Sequence, residues 1–175
     1  MVELRDFTLV DGRLLAAWIA GPVELWTWSG ADFSWPLDER QLAEYAAESA
    51  TPLRRSWMAI DAASDQAVGH ASVRFDADRA SGRIGRVLVA PEARSKGVGA
   101  AMLTSVLATA FGELGLERVE LGVWTDNSRA IRLYEGLGFV CDRVLRDVEQ
   151  FAGTSWSAMQ MSLPRSAWGA GAVSG

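Results

Sequence analysis

The sequence predicts an α/β (α+β) chain of about seven strands and about four helices, in the order strand, two helices, three strands, helix, strand, helix, two strands. Three stretches carry that prediction. Residues 56–89 hold three β-rich runs separated by polar turns, the pattern of a meander. Residues 98–114 carry apolar side chains in two adjacent rows at helical spacing. Residues 139–163 give two more strand runs around Ala152-Gly153, a closing hairpin.

Taken in order, Val2-Glu3-Leu4-Arg5 with Phe7 and Leu9 alternates and reads as a first strand. Asp11-Gly12 turns into a short helix that ends near Gly21-Pro22, where Pro22 blocks continuation. Val23 to Leu37 reads as a long irregular connector holding Trp26, Trp28, Phe33 and Trp35. Those rings either cover the core beneath a loop or wall a substrate pocket. Asp38-Glu39-Arg40-Gln41 has the form of a capping box, with Asp38 as cap and Gln41 reaching back, and Leu42, Tyr45, Ala46 and Ser49 continue a helix that Thr51-Pro52 ends. Ser56–Ile60 and Ala67–Phe75 form a hairpin across Ala62–Gln66, and a turn over 76–82 leads into Arg83–Val89. The helix after the next loop has one row at Val98, Met102, Val106 and Ala110 and a second at Leu103, Leu107, Phe111 and Leu114. Val119–Trp124 is a strand, and Asn127 caps a helix through Ala130, Ile131, Leu133, Tyr134 and Leu137 that Gly138 stops. Phe139–Gln150 and Thr154–Leu163 complete a single domain over 1–163, and 164–175 is expected to be a loose tail.

A chain of 175 residues suits one domain with a real core, and 49% hydrophobic with 22% charged residues excludes wholesale disorder. The net charge of −5 argues against nucleic acid as a partner and would suit a basic amine. Cys141 is the only cysteine, so no intrachain disulfide can form and a reducing, cytoplasmic location is expected. The longest early apolar run, Leu14 to Ala20, is too short to span a bilayer, and charges at Glu3, Arg5, Asp6 and Asp11 interrupt any signal peptide. No membrane association is expected. No grouping of Cys, His and carboxylates has metal-ligand spacing, and no metal is expected.

The chemistry is concentrated where Val87-Leu88-Val89 ends at Pro91 and the loop Arg94-Ser95-Lys96-Gly97-Val98-Gly99 opens the long helix. Glycines without a Cβ admit close approach, and a helix N-terminus offers free N–H groups and a positive dipole end. Such a loop suits a pyrophosphate, with Arg94 and Lys96 adding charge. A Rossmann fingerprint would need a third glycine at Met102, and the Gly-Lys-Ser/Thr of a Walker loop is absent. Arg94-x-x-Gly97-x-Gly99 resembles the Arg/Gln-x-x-Gly-x-Gly/Ala loop of the GCN5-related N-acetyltransferases, which bind the pyrophosphate of acetyl-CoA. The run from Asn127 to Phe139 resembles that family's second acetyl-CoA motif, with Asn127 and Tyr134 two helical turns apart on one face. The final hairpin resembles the branch containing ribosomal-protein N-terminal and polyamine acetyltransferases.

The resemblance implies a mixed, mostly antiparallel central sheet and transfer of acetyl from acetyl-CoA to a primary amine, a peptide N-terminus, a polyamine or a small amine. It implies that an N–H within Val87–Val89 polarises the acetyl carbonyl, that these strand groups pair with the pantetheine arm, and that Tyr134 protonates the departing thiolate. It breaks at Arg83, where many relatives carry a Glu as general base. Glu24, Asp32, Asp147 and Glu149 are the remaining carboxylate candidates, with a water chain or a neutral incoming amine as alternatives. His70, the only histidine, reads as a packed strand residue before a base, and Trp124 as core before groove lining. Cys141, with no nearby His, is a poor nucleophile. The missing Glu motivates a rival reading, a non-catalytic acyl-CoA-binding sensor or interaction domain. One sequence leaves a homodimer open and does not fix oligomeric state.

Overall fold

The computed structural model describes residues 1–76 and 80–169. Its elements are β1 (Val2–Asp6), α1 (Gly12–Trp18), α2 (Pro22–Ser29), α3 (Glu39–Ser49), β2 (Arg54–Asp61), β3 (Gln66–Phe75), β4 (Ser81–Val89), α4 (Val98–Phe111), β5 (Arg118–Trp124), α5 (Ser128–Gly136), β6 (Val140–Phe151) and β7 (Thr154–Pro164). The strands form one sheet in the order β1-β2-β3-β4-β5-β7-β6. The β1/β2, β2/β3, β5/β7 and β6/β7 pairs are antiparallel and β4/β5 is parallel, so the sheet is mixed and mostly antiparallel, as expected. The chain divides into two compact units, Met1–Arg74 with Gly85–Val106 and Phe75–Ile84 with Leu107–Gly175, and β4 and α4 each contribute residues to both.

In the first unit the core gathers Phe7, Leu15, Trp18, Leu25, Trp28, Leu42, Tyr45, Met58 and Leu88. The expected connector over 23–37 is corrected: α2 occupies Pro22–Ser29, giving five α-helices among the described residues rather than about four. Pro22 is the first helical residue, where its missing N–H costs nothing, so it starts a helix instead of preventing one. Only residues 30–38 remain irregular, and they contain a short 3-10 turn, Gly30–Asp32. Of the four aromatics read as core cover or pocket wall, Trp28 is buried, Trp26 and Phe33 are half-buried with Phe33 stacked on Trp28 at 5.5 Å, and Trp35 is exposed. Asp38 caps α3 by accepting from the Gln41 N–H at 2.9 Å. The second arm of the capping box is not made. Gln41 is buried, and its amide accepts from the Ser34 N–H at 2.8 Å and donates to the Ser34 and Pro36 carbonyls. Those otherwise unmet backbone groups hold it in place of the cap.

In the second unit Val119, Leu121 and Val123 alternate inward along β5, and Met161 and Leu163 come from β7. Six members of the two rows foreseen on α4 are buried, Met102, Leu103 and Val106 in the first unit and Leu107, Ala110 and Phe111 in the second, while Val98 is half-buried and Leu114, expected to end the second row, lies beyond the helix. Strand β6 is the sheet edge and is exposed nearly throughout. The segment expected to be loose begins with a held turn, Arg165–Ala167, in which Arg165 Nε donates to the Leu116 carbonyl at 2.9 Å. Trp168 packs on Phe111 with ring centroids 5.8 Å apart, and residues 170–175 lie outside the described residues.

Candidate functional site

The end of β4 delivers the chain to the glycine loop. Leu88 is buried in the first unit's core, Val87 and Val89 are half-buried, and the Ala90 N–H is held by the Val68 carbonyl at 3.0 Å. A 3-10 turn, Pro91–Ala93, follows, and then Ser95 and Gly97 both take left-handed backbone, with φ of 66° and 78°. Alternating handedness turns successive N–H groups toward one side, the concave arrangement that binds anions. The Gly97 carbonyl accepts the Ala101 N–H at 3.1 Å, so α4 begins at Val98 and its first turn leaves the N–H groups of Val98, Gly99 and Ala100 without intrahelical acceptors. Ser95, Lys96 and Gly97 are exposed, and a Cβ added at Gly97 would meet nothing within 4 Å. That open face suits a pyrophosphate.

Arg94 is bonded to three groups of the first unit. Its Nε donates to the Val89 carbonyl at 3.1 Å, and its Nη2 donates to Glu24 Oε1 at 2.7 Å and to the Trp18 carbonyl at 3.5 Å. The guanidinium is tied inward to α1 and α2, which leaves Lys96 as the exposed cation of the loop. Glu24, a candidate base, is engaged by Arg94 and also by the Ala20 N–H at 2.8 Å.

In the second unit Asn127 caps α5, its Oδ1 accepting the Ala130 N–H at 3.1 Å. Tyr134 lies on the same helix with 7% of its surface exposed and its ring edge-on to Phe139 at 6.0 Å. Among the described residues its hydroxyl makes no hydrogen bond, and burial pushes its pKa up to about 12. Trp124 is half-buried against Trp156, with centroids 5.3 Å apart. Arg83 stands opposite Glu120 in the β4/β5 ladder, and its guanidinium fills the space a Cβ would need at Gly122. Asp147 and Glu149 are exposed on β6, and Cys141 is exposed on the same strand.

His70 is fully buried, with Nε2 2.8 Å from the Tyr45 hydroxyl, and desolvation together with the Arg86 charge lowers its pKa to about 3. It is neutral and enclosed, in agreement with the packed reading. Arg86 itself was not singled out in the sequence. Its backbone is left-handed at φ 54°, its side chain is only 8% exposed, and its Nη2 donates to Asp32 Oδ2 at 2.8 Å. The guanidinium carbon lies 4.5 Å from the Phe33 ring centroid and 4.4 Å from that of Tyr45. The available signal was a second arginine on β4, set between Gly85 and the apolar run Val87-Leu88-Val89. Among the described residues no group of His, Cys, Asp and Glu could hold a metal ion, and no helix is long and apolar enough to cross a membrane.

Comparison with known proteins matches this arrangement. At 34% identity over 92 residues, the chain resembles the SPbeta prophage-derived uncharacterized N-acetyltransferase YokL of Bacillus subtilis (strain 168), and the match spans about half of each chain. The fold superposes on spermidine N-acetyltransferase from Vibrio cholerae in complex with CoA and spermine, with a TM-score of 0.83 and 20% identity over 95% of this chain and 96% of the other. A second structure of the Vibrio cholerae enzyme, in complex with manganese ions, gives a TM-score of 0.76 at 20% identity over 94% and 93% of the two chains. At such identities the likeness establishes the fold. The model of the acetyltransferase (GNAT) family matches residues 23–139, more than half of the sequence, and the chain belongs to that family.

Proposed function

We propose that the protein is an acetyl-CoA-dependent N-acetyltransferase that transfers acetyl directly to a primary amine, a small molecule or a peptide N-terminus. The observation that carries the proposal is Tyr134: its hydroxyl lacks a hydrogen-bond partner among the described residues and, with a pKa near 12, holds its proton throughout the physiological range. The loop from Arg94 to Gly99 takes the pyrophosphate on backbone N–H groups, with Lys96 adding charge. The strand segment Val87–Val89 offers N–H groups to the acetyl carbonyl and to the pantetheine arm.

The amine nitrogen attacks the thioester carbonyl, the carbon–sulfur bond breaks, and the thiolate takes the Tyr134 proton. The surplus proton on nitrogen leaves to solvent and the phenol is reprotonated. Arg83 occupies the position where a Glu base was sought, and Glu24 and Asp32 are engaged by arginines, which leaves exposed Asp147 and Glu149, a water path or an amine that enters neutral as the routes for the proton. The test is amine-dependent coenzyme A release with wild type and Tyr134→Phe, alongside calorimetric binding of acetyl-CoA. Loss of turnover with unchanged binding supports the assignment. Equal turnover in both proteins refutes Tyr134 as the acid.

A further inference from the structure

Arg86 is a buried cation whose bonding is incomplete. Asp32 meets Nη2, but Nη1 is enclosed and has no hydrogen-bond partner. A guanidinium removed from water needs its donors met, and leaving them unmet is costly. The indole Nε1 of Trp28, which can only donate, is likewise buried without a partner, and Trp28 stacks on the same Phe33 ring that Arg86 overlies. Arg54, paired with Glu48 at 3.0 Å, also keeps a buried Nε without a partner, and Arg86 differs from it in lying over both the Phe33 and Tyr45 rings at 4.5 and 4.4 Å. The nest therefore combines one positive charge and unmet donors with flat aromatic walls.

We infer that Arg86 reads the acceptor, binding the carboxylate of a small amine of the amino-acid type in the place where Asp32 now stands in for it. This rests on the acetyl-transfer reading given above.

Asp32 supplies the chemical precedent, because a carboxylate on this guanidinium is the contact the structure already makes. It is also replaceable: its side chain is 65% exposed and rides on a short 3-10 turn opened by Gly30 at φ 61°. Arg86 immediately precedes Val87–Val89, the segment offered to the acetyl carbonyl, and in an α-amino acid the amine is only two bonds from the carboxyl carbon. Between Phe33 and Tyr45 the planar fork is pre-oriented, as carboxylate recognition requires. The same fixed cation repels a polyamine, which brings two or more positive charges and nothing that accepts from Nη1.

The test compares the full chain on L-amino acids and their carboxamides, with spermidine as a third arm. Coenzyme A release reports transfer, and calorimetry in the presence of coenzyme A reports binding independently. The expected result is a preference for carboxylate over carboxamide of at least about tenfold in KM, with kcat little changed. Arg86→Lys, which keeps a cation and the fold but loses the fork, should collapse that preference. Asp32→Asn should lower the KM for the amino acid several-fold by weakening the internal competitor. A structural role alone would move melting temperature in both variants and leave the preference intact, which overturns the proposal. Equal or better binding of carboxamides or spermidine also overturns it. Carboxylate-selective binding that responds to Arg86→Lys without any thiol release upholds Arg86 while refuting acetyl transfer.

Discussion

Arg94 Nη2 donates to Glu24 Oε1 at 2.7 Å, and through this bond the glycine loop is fastened to helix α2. The same guanidinium closes on the Val89 and Trp18 carbonyls, so one side chain fixes where β4 ends relative to the start of the loop. A cation that reads in sequence as added charge for a pyrophosphate also braces the backbone proposed to hold it.

Glu24→Gln should therefore weaken acetyl-CoA binding without contact with the ligand. Both partners are about one-third exposed, so the ion pair contributes about 1 kcal/mol or less, which is a few-fold in affinity by calorimetry. Arg94→Ala should cost more, because it also releases two carbonyl contacts. Arg94→Lys should not restore it, since an ammonium cannot span all three acceptors.

Gly97→Ala should impair both folding and binding. At φ 78° an added Cβ is strained by about 1 kcal/mol even though no neighbouring atom lies within 4 Å. In the proposed complex that Cβ also enters the space of the pyrophosphate. Denaturant melts should show the small stability loss, and a drop in acetyl-CoA affinity larger than the stability loss would mark the ligand's approach.

Tyr134→Phe should leave stability nearly unchanged at neutral pH, because the hydroxyl has no partner to lose, while turnover falls by roughly 100-fold. The pH dependence has a definite sign. With a folded pKa of about 12 against 10 for the free side chain, the unfolded chain gives up its proton first, so stability is full below pH 10 and falls as pH rises toward 12. Alkaline unfolding curves of wild type and Tyr134→Phe should diverge in that window, with the variant less sensitive.

His70 acts at the acid end. Its folded pKa of about 3 lies below the ordinary 6.5, so between those values the unfolded chain binds the extra proton and stability falls as pH drops. Asp11, held below its ordinary value by Arg5 and Thr8 against the opposing effect of burial, adds a loss of the same sign at lower pH. Urea midpoints measured from pH 7 to pH 3 should decline, and His70→Gln should flatten the decline above pH 4.

Much of the fold was legible because local rules and tertiary packing agree. The middle of both α4 rows, the Asn127 cap, the Asp38 cap and the strand over Val119–Trp124 all stand where spacing placed them. The failures came where a residue has two local meanings. Pro22 blocks a helix behind it and starts one ahead of it, and only the packing of Leu25 and Trp28 decides which. Gln41 had two sets of backbone groups within reach and took those of residues 34–36. At the site, the loop and the Asn127–Tyr134 helix were readable as contiguous motifs. Arg94's inward turn and the Arg86 nest were not, since each depends on partners 54 to 76 residues away in sequence.

The most direct measurement is coenzyme A thiol release from acetyl-CoA across amino acids, carboxamides, polyamines and peptide N-termini, with Tyr134→Phe in parallel. An acetyltransferase of this construction should release thiol only with an amine present and lose most of that release in the variant. Tight acetyl-CoA binding with no amine-dependent release from any class would contradict catalysis and leave a cofactor-binding domain in its place.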